Sequence, residues 1–160
     1  MSYRLAAGAA VVAVVAAPGA LGAQVLMERN VSAKMALTIA ETALAECGSR
    51  VSVAVVDRAG RLRVFLQADK ANPHNLELAR RKAYTARTFG RTSAEWTKRT
   101  AETPEIAAQR ELADVIALRG GVPIKVGDET IGAVGVSGSS AEGDEKCAMA
   151  GLAKVADQLR

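Results

Sequence analysis

The stretch RVSVAVVDRAGRLRVFLQAD, residues 50–69, constrains the fold more than any other part of the chain. Val51, Val53 and Val55 alternate with Ser52, Ala54 and Val56, and β-branched residues favour the pleated surface of a strand. DRAG is a turn signal, and Leu62, Val64 and Leu66 alternate on the far side of it, so the segment reads as a β-hairpin. Residues 120–138, GGVPIKVGDETIGAVGVSG, repeat the arrangement: GG breaks the chain, VPIKV is a short strand, GDE turns and TIGAVGV returns. Gly132 and Gly135 inside the return strand predict close approach of another backbone or of a ligand. Two hairpins separated by helical segments predict an α+β domain: two layers, an antiparallel sheet with helices on one face. VSVAVV and TIGAVGV are apolar on both sides, so such a sheet would leave valine exposed on its second face. On that ground a second subunit, and hence a homo-oligomer, is expected.

The helices follow from their caps and periodicity. Ser32 is an N-cap for a helix from about Val31 to Cys47, with Met35, Ile39, Ala43 and Cys47 recurring every four residues and Gly48 at its stop. In ANPHNLELARRKAYTARTF, Asn72 caps and Pro73 suits the first helical position, which puts His74 in the first turn. Leu76, Ala79, Ala83 and Ala86 then share one face, while Arg80, Arg81 and Arg87 spread around the others. A weaker helical region runs from about Ser93 to Gln109 with a break at Pro104. The last helix begins near Ser140, has Glu142, Asp144 and Glu145 in its first turn, and lines up Ala148, Leu152, Val155 and Leu159.

The first 23 residues differ in kind: Arg4 is their one charge, followed by LAAGAAVVAVVAA and PGALGA. That is a secretory signal pattern, too short and alanine-rich for a membrane span, with cleavage expected near Ala23. The remainder, residues 24–160, reads as a single domain outside the cytoplasm, periplasmic or secreted. Without Arg4 its formal charge is about +3, a weak excess, and only 3% of residues are aromatic. Single-strand binding wants rings interleaved with basic residues, so no nucleic-acid partner is expected. Cys47 and Cys147 are the only cysteines, and in an oxidising compartment such a pair favours a disulfide over two separate buried thiols.

Few motifs carry chemistry. GVSGSSAEGDE offers free amides at a helix start, but it lacks a P-loop lysine and its acidic first turn repels phosphate. It does not fit G-x-S-x-G either, so a tight turn into a helix is the better reading. One histidine and two distant cysteines make no zinc site by spacing. His74 is the exception: it is unique, stands at a helix start, and is followed by Arg80, Arg81 and Lys82. The positive helix end favours the neutral, metal-ligating imidazole, and the cations can pair with carboxylates. A solvent-facing cap residue is the competing reading, and the residues alone leave both open.

Four strings in order, VSVAVVDRAG, PH…ARRKAYTARTF, GGVPIKVGDETIGAVGVSG and DEKCAMAGLAKVAD, resemble the GlcG/HbpS family, the haem-binding or DUF336 domains, which include the C-terminal domain of PduO-type proteins. The resemblance spans about Val31 to Leu159. It implies a profilin-like antiparallel sheet, homo-oligomers, and, for some members, haem. Carried onto this chain, it implies His74 as axial ligand of haem iron, Arg80, Arg81 and Lys82 for the propionates, and Tyr84 and Thr85 as further pocket residues. The exported subgroup carries PHT where this chain has PHN, so Asn75 replaces the threonine, and the loop GSSAEGDE also departs from the family version. In such a fold the first and last helices pack side by side, bringing Cys47 near Cys147. An exported haem- or tetrapyrrole-binding protein, serving haem sensing, carriage or iron handling, is the leading expectation. The rival is a binder of small organic acids, or an enzyme acting on them, with His74 as acid or base.

Overall fold

The structure, a computed structural model, describes residues 25–160; the signal peptide expected over residues 1–23 lies outside the described residues. Both hairpins form where alternation placed them. β1 (Ser52–Asp57) and β2 (Leu62–Gln67) make the first, β3 (Gly121–Val126) and β4 (Glu129–Ser137) the second. They join through β1 and β4 into one sheet of order β2-β1-β4-β3 with every neighbouring pair antiparallel. The central register sets Val53 opposite Val136 and Val55 opposite Val134, so the valines of both strands stack on a common face.

That face is covered by α1 (Ala33–Cys47) and α4 (Ala141–Ala153). Ser32 caps α1 by accepting from the Met35 amide at 3.1 Å, and Ser140 caps α4 by accepting from the Gly143 amide at 3.0 Å. Ala36, Ile39, Ala40, Ala43 and Ala148 pack there against Val53, Val55, Val134 and Val136, all fully buried. Cys47 ends α1 and bonds to Cys147 of α4, with their Cα atoms 6.0 Å apart. The bond closes a loop with a sequence separation of 100 residues.

The expectation of helices on one face is overturned. α2 (Asn75–Phe89) lies on the opposite face, across β1, β4 and β3, so the α+β domain has three layers rather than two. The reason is a glycine floor. Gly121 and Gly135 are cross-strand partners. A Cβ on Gly135 would run into the Ala79 carbonyl oxygen and the Ala83 amide, and one on Gly121 into the Lys82 carbonyl. With no side chains between them, the α2 backbone rests directly on the strands. The close approach anticipated at Gly135 is therefore that of a helix of the same chain. The argument for a second subunit on that face loses its ground, because α2 occupies it.

α2 also starts later than its cap residues suggest. The Asn75 amide donates to the Asn72 carbonyl at 3.0 Å, and His74, in helical φ/ψ, takes the cap position without a side-chain bond. Of the face read from sequence, Ala79, Ala83 and Ala86 are buried; Leu76 is 44% exposed, and Asn75, Lys82 and Thr85 are buried in addition. α3 (Ser93–Glu102) carries a reciprocal Thr92–Glu95 capping box, and the chain breaks at Pro104 into a 3₁₀ segment, as anticipated. The segment leading to β3 then straps α2: Arg80 pairs with Asp114, Arg81 donates to the Val115 carbonyl, and the Thr85 hydroxyl accepts from the Ile116 amide. α4 ends at Ala153, so Val155 and Leu159 belong to the turn beyond it rather than to a continuing helix.

Gly135→Ala should lower stability by about 1–3 kcal/mol, the range for overpacking, because the added carbon meets backbone that cannot swing aside. Gly127→Asn, at an open turn position with φ of 58°, is the control and should shift the urea midpoint little. Replacing both cysteines with alanine should cost about 2–5 kcal/mol in the same assay.

Candidate functional site

The N-termini of α2 and α4 and the end of β4 converge on a cleft of about 350 Å³. His74, Leu78, Lys82, Leu118, Arg119 and Asp144 contribute to its walls. Three segments far apart in sequence build it, and each side chain has a definite reason to be there.

Lys82 lies two turns into α2, on the face pressed to the sheet, and its side chain is only 5% exposed. A buried ammonium needs a counter-charge, and it has one: Nζ donates to Asp144 Oδ2 at 2.8 Å and to the Val136 carbonyl at 3.0 Å. The other Asp144 oxygen accepts from the Ser139 amide at 2.9 Å. This pair ties α2 to β4 and to the first turn of α4. Beside it, Asn75 is held by its Nδ2 on the Arg50 carbonyl at 3.3 Å and by the Ser137 hydroxyl donating to its Oδ1 at 3.4 Å. The floor is therefore polar and internally bonded.

The rim is freer. His74 is exposed, and its imidazole makes no hydrogen bond among the described residues. Across from it Arg119 is held by Glu145 and, at 3.1 Å, by Glu142; those carboxylates raise its pKa above the usual guanidinium value. Leu78 and Leu118 supply the apolar flank. Among the described residues no group of three or more His, Cys, Asp or Glu side chains could hold a metal ion.

Of the residues singled out from sequence, the structure brings His74 and Lys82 to this cleft and places the others elsewhere. Arg80 is taken up by Glu77 and Asp114, each at 2.6 Å; the pairing lowers the Glu77 pKa and raises that of Arg80. Arg81 donates to the Val115 carbonyl at 2.5 Å, and Thr85 is spent on the Ile116 amide at 2.9 Å and the Arg81 carbonyl at 2.8 Å. Tyr84 packs over the turn between β1 and β2. Sequence reasoning missed Arg119, Leu118 and the cleft role of Asp144. Asp144 was read as a dipole partner in a first turn, and only its meeting with Lys82 across the fold shows its second use.

A polar cleft with one free imidazole, set at helix N-termini, thus opens on an antiparallel sheet between the helical layers of an α+β domain. The chain belongs to the HbpS-like family: the profile described as "Haem degrading protein HbpS-like" matches residues 29–153. It is similar to HbpS in its crystal structure, with 33% identity over 87% of this chain and 97% of that one and a TM-score of 0.76. A Glu-to-Asp double mutant of HbpS from Streptomyces reticuli is 32% identical, covering 89% and 97%, with a TM-score of 0.76. The PduOC:haem complex, 24% identical over 78% and 94% with a TM-score of 0.69, shares the fold. None of the curated proteins matches the chain.

Lys82→Met should be costly, about 3–5 kcal/mol, because it strands the Asp144 carboxylate in a buried site. The double variant Lys82→Met/Asp144→Leu should recover much of that loss in guanidinium denaturation, since no unpaired charge remains.

Proposed function

We propose that this chain is an exported haem- or tetrapyrrole-binding protein, with His74 as the iron ligand. The observation that carries the reading is the free imidazole at the mouth of the cleft, the one metal-ligating nitrogen of a histidine in the sequence. Family membership supports it, as does the haem held by PduOC in the same fold. The residues at the cleft fit the group in kind: a nitrogen donor without a protein partner, leucines on one flank, and a cation, Arg119, on the other. Haem, when bound, supplies an iron centre. The chain's own residues orient it: Lys82 and Asp144 hold the two helix ends that frame the cleft, and Arg119 offers charge to a propionate. Arg119 takes that role in place of Arg80 and Arg81 because it borders the cleft and they do not; a propionate there competes with Glu142 and Glu145 for it. The Cys47–Cys147 bond suits an oxidising compartment, which supports export. Assembly into homo-oligomers belongs to the same reading through the family resemblance.

A second reading has its own support. The floor made by Asn75, Ser137, Lys82 and Asp144 is polar, which suits a small organic acid bound or turned over with His74 as acid or base. Haem titration followed by absorbance separates the two. His74→Ala should abolish or shift the Soret band and weaken binding at least tenfold, and Arg119→Ala should weaken haem more than its dimethyl ester. An unchanged Soret band in His74→Ala removes the ligand assignment. Thermal stabilisation by small carboxylates at this cleft, with no haem response, would favour the second reading.

A further inference from the structure

The C-terminal end of α2 holds a separate cavity of about 230 Å³, lined by Arg58, Ala59, Gly60, Tyr84, Arg87 and Thr88. Along the helix axis Arg87 is roughly 20 Å from His74, at 1.5 Å per residue, so this cavity is no extension of the first.

Its two guanidinium groups differ. Arg58 is committed, pairing with Glu129 and, at 3.4 Å, with Glu28. Arg87 donates through Nε to the Arg58 carbonyl, a bond that sets the plane of its guanidinium. Among the described residues no carboxylate pairs with it, and its two terminal amino groups have no protein acceptor. The cavity wall is fixed as well. Gly60, at φ of 76°, brings the β1–β2 turn so close to Tyr84 that a Cβ there would lie 2.8 Å from the ring. The hydroxyls of Tyr84 and Thr88 likewise have no hydrogen-bond partner among the described residues, and both residues border the same space. The C-terminal end of a helix is itself unfavourable for an anion, but Arg87 sits in that last turn and offsets it. The Asp57 carboxylate accepts from the Ala59 and Arg61 amides of the same turn. Counting Arg58, Arg87 and Arg29 against Glu28, Glu129 and Asp57 leaves no charge excess, so the positive charge open to a ligand is that of the unpaired Arg87 fork.

We propose that this cavity binds a small oxyanion, a carboxylate or phosphate group. The Arg87 fork holds it and the Tyr84 and Thr88 hydroxyls donate to it. An arginine fork presents parallel N–H donors that match two oxygens of such a group. The site is independent of the haem reading and stands or falls without it.

The test is an amide and Arg-side-chain NMR titration of the full chain with sodium phosphate and, separately, sodium acetate, with sodium chloride at matched ionic strength as reference. The expected result is saturable shifts at Gly60, Thr88 and the Arg87 Nε–H with at least one of the two oxyanions. They should persist in His74→Ala and weaken at least tenfold in Arg87→Ala. Since Arg87 also anchors the turn, Arg87→Gln, which keeps a donor for the Arg58 carbonyl, serves as the second variant and should show the same loss. Shifts equal to those from chloride, shifts that survive both Arg87 variants, or none at all would overturn the proposal.

Discussion

α2 rests on the sheet through bare backbone, and much of the molecule depends on that contact. Gly121 and Gly135 stand opposite one another on β3 and β4, and their missing side chains let the helix settle onto the strands. At this distance the Lys82 ammonium reaches the Val136 carbonyl and Asp144, and α2 is pinned to β4 and α4 at once. The burial that makes an unpaired lysine so costly makes one bonded to both a carboxylate and a carbonyl a determinant of where the helix must lie.

The cleft inherits its character from that arrangement. Its floor is largely internally bonded: Lys82, Asp144 and Asn75 each hold partners within the protein, so the floor shapes the space as well as lining it with polar groups. At the rim His74 has slipped outside the helix proper into the cap position, and its imidazole is free of hydrogen bonds among the described residues. The distribution of arginines follows the same logic. Those on the outer side of α2 anchor the strap that crosses it, while Arg119, at the end of that strap, reaches the cleft. α2 thus serves two places, a histidine-bearing end and an arginine-bearing end, with a rigid middle.

Much of the fold was legible in the residues. The hairpins, the Ser32 and Ser140 caps, the break at Pro104 and the pairing of Cys47 with Cys147 rest on local periodicity, turn chemistry and the family resemblance, and all appear where anticipated. The layering was not. Apolar character on both sides of β1 and β4 correctly demanded a second cover, but it does not say whether a partner subunit or the same chain provides it. On α2 the alanines Ala79, Ala83 and Ala86 were read on the covered face and are buried there, whereas Leu76 is largely outside and the buried Lys82 was not foreseen. The site was legible in part: His74 and Lys82 meet at the cleft, whereas Arg80, Arg81, Tyr84 and Thr85 share their helix but point to other partners.

What the sequence determined by itself was local and periodic: which segments become strands or helices, where they begin, and that a sheet with two apolar faces needs covering on both. Those outcomes depend on neighbours within a few residues, and such information is written in order along the chain. The tertiary structure alone decided which helix covers which face, that Asp144 answers Lys82 from 62 positions away, and which cations remain free for a ligand. Such pairings depend on distances across the packed core, and on whether a glycine stands where two backbones must touch.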